Sequence, residues 1–459
     1  MLDFGQVPVL IVSSAAAARE ILRTHDQIFS SRPKSRLAKR LVYDTRDVVF
    51  CPYGEHWRQM RSICVLNLLS NRRVQSFRNV REEETAAMIE MIRNCSSWVN
   101  LSEMLTMLSG NMACRVVLGK KCVEEGEGRR LKVILDGLGE LLGSFNVAEY
   151  ISWLAWLNSI NGFDAKVNKL AKEVDEFLTE VVEKHTNKRD RTEKGKIENE
   201  GKQDLVDCLL DIQSDKTRPI NGDIIKAILL VKLIFFSFFL AVRVILCIFM
   251  PLCFLQDMLS GGIETTSTTL EWTISELLRH THILEKLQNE VRQIAGGKLY
   301  PTEDDLVKMN YLKAVIKETL RLHPPLPLLI AHESTEDANV MGYDIRAGTQ
   351  VIINAWAIAR DPLTWEYPEE FRPERFLNSS KDFKGKDFEF IPFGAGRRIC
   401  PGMLLAMIIS ELALANLVNN FDISLPSGAC GEELDMSEAT GLAVHRRNPL
   451  LVVANPKSS

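Results

Sequence analysis

Phe393-Gly394-Ala395-Gly396-Arg397-Arg398-Ile399-Cys400-Pro401-Gly402 is the stretch on which the reading of this 459-residue chain turns. It is a glycine-rich loop that delivers one cysteine to the start of a helix, with Pro401 suited to the first helical position. Backbone N–H groups and the helix dipole at such a start favour a thiolate over a thiol. The glycines allow close backbone approach to a flat ligand, and Arg398 can pair with an acid group. A lone cysteine beside glycine is a common structural thiol. The full spacing of Phe393, Gly396, Arg398, Cys400 and Gly402 is far more restrictive.

The composition around this loop is that of an ordinary globular protein, with 46% apolar and 25% charged residues, net charge −4 and pI near 6.1. That balance excludes disordered and collagen-like chains. It offers no basic excess for a phosphate backbone, so no nucleic-acid partner is expected. The ten cysteines are scattered without a CxxC pair, which argues against a zinc site or a disulfide-dense secreted scaffold. The thiols read as reduced and cytosol-facing.

Helical periodicity dominates the chain. Met88, Ile89 and Ile92 share a face behind an acidic first turn at 82–84. Leu270, Ile274, Leu277 and Leu278 repeat at helical spacing, as do Leu312, Val315, Ile316, Thr319 and Leu320. Strand-like pieces are short. Val7–Val12 leads through Ser13 and Ser14 into an alanine-rich helix, and Gln350–Ile353 and 450–453 come late. Residues 184–204 carry 12 charged side chains in 21 positions and read as a solvated surface loop. The pattern fits one large, mainly α domain with small β-sheets over 1–459 better than a string of modules.

Four further stretches hold chemistry-bearing residues. Trp57 and Arg61 lie about one helical turn apart in WRQMR. In Gly261-Gly262-Ile263-Glu264-Thr265-Thr266, Gly262 loosens the helix, Glu264 can supply protons and the Thr265 hydroxyl can hydrogen-bond. Glu318 and Arg321 share a helix face at i, i+3, a spacing that on a surface contributes only a few tenths of a kcal/mol. Pro373-Glu374-Arg375-Phe376 follows. Taken singly, each has a bland reading as a surface turn or an amphipathic contact.

Together, in this order and spacing, the stretches resemble the cytochrome P450 monooxygenases over essentially the whole chain. The style is that of plant microsomal A-type members of the seventy-one clan, as in SRPKS from Ser31, STED from Ser334 and LDMSEATGL from Leu434. The resemblance implies the cytochrome P450 fold, a single haem-binding domain. It makes Cys400 the axial thiolate of haem b iron, pushing electron density toward O–O cleavage, with Phe393, Gly394, Gly396, Arg398 and Gly402 around the haem. It places Trp57 and Arg61 at the propionates. Where these relatives commonly read PRES, this chain has Ala331-His332-Glu333-Ser334, so His332 is expected to donate there with a pH-dependent charge. Glu318, Arg321 and Arg375 become a buried structural core, and Gly262, Glu264 and Thr265 the oxygen-activating stretch. Leu326, Leu328, Leu329, Ile330, Gly441 and Leu442 become pocket walls, with the stretch before Thr265 and the loop before Trp57. His280 and His282 read as surface positions.

The implied reaction inserts one atom of O2 into a lipophilic plant secondary metabolite of terpenoid, aromatic or oxime type. Electrons would come from NADPH through an NADPH–cytochrome reductase carrying FMN and FAD. A monomer is expected. Two alternatives stay open at this stage: a haem-dependent dehydratase or isomerase, and a non-functional product of a defective gene model. Relatives in this group begin with a hydrophobic anchor and a Pro-rich hinge. The natural full-length protein is therefore expected at the endoplasmic reticulum membrane, facing the cytosol, with this chain against the membrane surface.

Residues 229–256 are nearly unbroken Leu, Ile, Val, Phe and Cys. Their length suits a bilayer span, but Lys232, Arg243 and Pro251 interrupt them. Residues 231–256 are expected to lie outside the working protein, because joining Leu230 to Asp257 restores one continuous central helix. At ~100° and ~1.5 Å per residue, the insert shifts the two halves by about 80° and about 39 Å. As a membrane span it would put Trp57 and Arg61 across the bilayer from Cys400. Its borders at Val231 and Gln256, its T-rich codon style and its preserved frame fit a translated short intron. The rival is a genuine loop insertion or hairpin anchor.

Overall fold

The computed structural model describes residues 1–95, 97–121, 127–193, 204–207, 236–439 and 441–457. Residues 231–235 of the apolar segment and 194–203 of the charged stretch lie outside that set. A long central helix, Phe236–Arg279, runs through the molecule. Against it pack Leu101–Leu118, Asn310–Leu322 and Met403–Asn420. The apolar stripes at Leu270, Ile274, Leu277 and Leu278, and at Leu312, Val315, Ile316 and Leu320, meet in one core, as their spacing requires.

Met88, Ile89 and Ile92 join that core from Arg78–Arg93. This helix starts four residues before the acidic triplet, so 82–84 is not its first turn. Glu84 is instead buried and ion-paired to Arg115 at 2.6 Å and Lys121 at 3.2 Å. Met403–Asn420 is long and apolar enough by length and composition to cross a membrane. Here it is a core helix, with Leu412, Ala413, Leu414 and Ala415 wholly buried.

The main sheet has four strands in the order Leu2–Phe4, Val7–Val12, Gln350–Ile353, His332–Glu333. Val7–Val12 and Gln350–Ile353 run parallel, Val9 opposite Gln350 and Val12 opposite Ile353. Ser14 caps Ala15–Arg19, its hydroxyl accepting from the Ala17 N–H at 3.3 Å. The strand expected at 450–453 spans Leu451–Pro456 and lies between Val99–Asn100 and Phe421–Ser424. A hairpin of Glu438–Ala439 and His445–Arg446 brackets Gly441 and Leu442.

Two expectations need correction. The helix Phe163–Glu193 carries the first ten residues of the charged stretch, so they are not loop. Charge does not break a helix when pairs such as Glu180–Lys184, at 2.7 Å, support its exposed face. Among the described cysteines six are free thiols, but Cys114 is disulfide-bonded.

Glu318 is the polar centre of the core. It accepts from Nε and Nη2 of Arg321 at 2.8 Å each, from Nε of Arg375 at 3.0 Å and from the Arg372 N–H at 2.9 Å. The other Arg321 donors reach the carbonyls of Ala359, Pro368 and Glu370. Those of Arg375 reach Glu366 and Tyr367. A buried ion pair stabilises only when every donor and acceptor is used, and this one is close to complete. Removing one charge strands the rest. Glu318→Gln is therefore expected to lower unfolding free energy by about 3 kcal/mol, measured by urea denaturation. A loss no larger than the ~0.5 kcal/mol of an ordinary surface change would contradict this role.

Candidate active site

The cysteine loop turns through left-handed backbone at Gly394 (φ 72°) and Gly396 (φ 66°), a region that side chains disfavour. At Gly396 a Cβ would also sit 2.1 Å from the Leu22 carbonyl oxygen. The Cys400 N–H closes the loop on the Phe393 carbonyl at 2.9 Å. Gly402 is the N-cap of Met403–Asn420, so Pro401 precedes the cap and does not take the first helical position. Burial pushes the Cys400 thiol up in pKa, while the Gly402 and Met403 N–H groups and Arg61 favour its thiolate. A neighbouring metal cation is what tips such a thiol to thiolate.

Beside the loop lies a group of cations. Arg398 stacks its guanidinium over Trp57 at 4.2 Å and donates to the carbonyls of Ser30, Val48 and Cys51. Trp57 Nε1 donates to Val48 at 3.1 Å, and Arg61 donates to the Ile399 carbonyl. Arg32, 6% exposed, donates to Val49, Ile330 and Ala331 carbonyls at 2.7–2.9 Å. Burial and the Arg398 charge hold Arg32 well below its usual pKa, and burial brings Arg398 down to about 10. Among the described residues, none of Arg32, Arg61 and Arg398 has a carboxylate within 4 Å. Sequence reasoning missed Arg32, although it stands in the SRPKS stretch.

His332 lies in the same neighbourhood. Its Nδ1 donates to the Phe29 carbonyl at 2.7 Å. Burial, with Arg32 and Arg398 nearby, holds the ring neutral. In that state Nε2 has no hydrogen to give, so donation to an acid group requires the protonated ring.

The stretch Gly261–Thr266, expected to activate oxygen, borders open space at its two glycines. Gly261 and Gly262 are exposed, with nothing within 4 Å of an added Cβ, although Leu259 and Ile263 beside them are 1% and 5% exposed. The helix stays continuous across Gly262. Thr265 Oγ1 donates to the Gly261 carbonyl at 2.6 Å. Burial raises the Glu264 pKa, opposed by His445 and Lys132. A carboxyl so raised keeps its proton closer to neutral pH.

Not all the expected wall residues converge on Cys400. Leu329 touches the cysteine loop, its Cδ1 3.9 Å from where a Gly394 Cβ would lie, and the Ile330 carbonyl serves Arg32. Leu328 is 47% exposed. Gly441 and Leu442 press on the helix Glu127–Gly143, with the Leu442 N–H on the Gly139 carbonyl at 3.1 Å. The Glu264 carboxylate also borders Gly139. Glu318, Arg321 and Arg375 stand apart as scaffold.

These residues fit haem. One buried arginine, Arg32, and two half-buried ones, Arg61 and Arg398, lack a carboxylate partner among the described residues, as an acidic ligand requires, and a soft sulfur ligand stands next to them.

Comparison with known proteins agrees. The family model described as Cytochrome P450 matches residues 1–233 and 252–453. The chain is 52% identical over 464 residues to "Cytochrome P450 736A117" of Prunus mume, covering 99% of this chain and 83% of that protein. It is 48% identical to "Norfluorocurarine oxidase" of Strychnos sp (98% and 85% covered) and to "(+)-menthofuran synthase" of Mentha piperita (100% and 86%). Among solved structures, a zebra fish cytochrome P450 with abiraterone superposes with TM-score 0.76 at 25% identity, covering 98% of this chain and 94% of that one.

Cys400→Ser should abolish the thiolate-type Soret band of the reduced, CO-bound protein, since a hydroxyl does not replace the thiolate. A band like that of the unaltered protein in this variant would exclude Cys400 as the ligand.

Proposed function

The chain belongs to the cytochrome P450 family, a haem-thiolate monooxygenase acting on lipophilic substrates, and we propose how its own residues divide that work. Bound haem supplies the oxygen chemistry. Cys400 would hold the iron, while Arg32, Arg61 and Arg398 would hold the acid groups with Trp57. Gly261 and Gly262 leave room beside the helix. Burial favours the protonated form of the Glu264 carboxyl, and Glu264 with the Thr265 hydroxyl on the next residue would form the proton path. The observation that carries this reading is the group of arginines without carboxylates beside the half-buried Cys400 thiol.

The walls contributed by Leu326, Leu329, Ile330 and Leu442 are apolar, which supports a terpenoid, alkaloid-like or aromatic plant metabolite. Relatives named "Tabersonine/lochnericine 19-hydroxylase" and "(+)-menthofuran synthase" support that class. Electrons would come from NADPH through an FMN/FAD reductase to a monomer. An endoplasmic reticulum location is supported by one exposed apolar region. Phe145, Trp153, Trp156 and Ile160 are 54–74% exposed in the connection before Phe163–Glu193. Phe4, Phe145, Tyr150 and Ile151 line a cavity of about 390 Å³ there. Clustered aromatics of this kind suit a membrane interface.

Residues 231–256 would not belong to the working protein. The family match stops at 233 and resumes at 252. Gln256 is 5% exposed and buries a side-chain oxygen with no partner, where Leu230 would bury none. Sequencing of the mature transcript is expected to show these codons spliced out. A transcript retaining them, with a haem-loaded full-length chain, would refute the reading.

Thr265→Ala should leave haem bound but uncouple turnover, so that NADPH-dependent O2 consumption continues while reduced oxygen species replace product. Fully coupled product formation would remove Thr265 from the proton path.

A further inference from the structure

We infer that Trp272, His323 and Glu276 form a positioning unit that sets the pocket walls, resting on the reading of 325–330 and 441–443 as those walls. Trp272 is 1% exposed, and its indole stacks on the His323 ring with centroids 4.4 Å apart and planes 5° apart. Its Nε1–H donates to the Val444 carbonyl at 3.1 Å. Glu276, one turn further along the central helix, bonds His323 Nε2 at 2.7 Å. His323 leads directly into Pro324 and Pro325, and the Pro325 carbonyl accepts from the Val444 N–H at 2.9 Å.

The contacts close a circuit. It runs from the central helix to His323, along the first wall to Pro325, across to Val444 at the root of the second wall, and back to the Trp272 indole. Arg446 tightens the same strand by donating to Ser275 Oγ at 2.7 Å. Burial opposes the Glu276 charge, yet bonds from His280 and His323 bring its pKa down to about 2, so it stays an acceptor for the imidazole. Seven residues separate Thr265 from Trp272, close to two turns. Both therefore lie on one face of the helix, about 10.5 Å apart along its axis. The unit thus ties both walls to the helix that carries the oxygen-facing residues, without touching the cysteine loop.

The stack and the single N–H bond are separable. Trp272→Phe keeps an aromatic face on His323 and removes only the donor to Val444. His323→Gln keeps a hydrogen bond to Glu276 and removes the stack. Both variants are made in the haem-loaded protein and titrated optically with imidazole and with phenylimidazole. Each probe ligates iron through nitrogen, but only the larger one also meets the walls.

Phenylimidazole affinity is expected to fall about fivefold in Trp272→Phe, as for one lost hydrogen bond, with imidazole affinity unchanged. His323→Gln is expected to show the same split, so a poorly folded Trp272→Phe leaves the test intact. Hydrogen exchange should speed up in peptides covering 441–446 and stay constant around Cys400. Equal weakening of both probes, or no change in either, would overturn the inference. Leu442→Ala separates the two readings. If it leaves phenylimidazole affinity untouched, the wall reading fails. If it shifts that affinity while Trp272→Phe does not, only the positioning unit fails.

Discussion

One buried carboxylate holds the frame on which the site is built. Glu318 has no solvent to stabilise its charge, so two guanidinium groups and a backbone N–H must surround it. Satisfying those guanidinium groups in turn commits the carbonyls of Ala359, Glu366, Tyr367, Pro368 and Glu370. An irregular run of chain is thereby locked to the Asn310–Leu322 helix without forming regular structure. Phe376 follows Arg375, and its ring meets Phe390 at 5.0 Å. From Phe390 the backbone enters the cysteine loop three residues later. The position of Cys400 is thus set through a chain of contacts that begins at an ion pair.

The cation group beside Cys400 follows the opposite logic. Arg32, Arg61 and Arg398 spend their donors on backbone carbonyls, a partial compensation that leaves positive charge in a poorly solvated place. The falling pKa of Arg32 and Arg398 expresses that imbalance. A ligand bearing acid groups relieves it, and the gain is larger because burial keeps the dielectric low. Binding such a ligand at these residues would add to the stability of the fold.

Features encoded by local spacing were legible in the sequence. The glycine-rich loop around Cys400, the i, i+3 pair of Glu318 and Arg321, and the helical stripe from Leu270 all read directly, and the mainly α class followed from them. What stayed hidden depends on contacts between distant segments. Arg32 gains its importance only because the folded chain brings Ile330 and Ala331 beside it. Trp272 reads as one more core residue of a helix until the fold places Val444 and His323 against it. The helical character of 184–193 was masked by a charge density that favours solvent but does not oppose helix formation.

The central helix shows how these constraints combine. Its functional half is pinned at several points after Asp257. Asp257 accepts from the Val48 N–H at 2.8 Å, and burial, with the Asp47 charge nearby, raises its pKa well above the usual carboxylate range. Further along, Trp272, Ser275 and Glu276 hold Val444, Arg446 and His323. These bonds fix the rotation of the helix about its axis, since each side chain reaches its partner from one face only. Gly261, Gly262, Glu264 and Thr265 lie between the pins and inherit their orientation. The helix runs unbroken on both sides of Asp257, and the buried Leu252, Phe254 and Leu255 add apolar contacts to these polar pins, so the turn carrying Glu264 and Thr265 is held in one orientation.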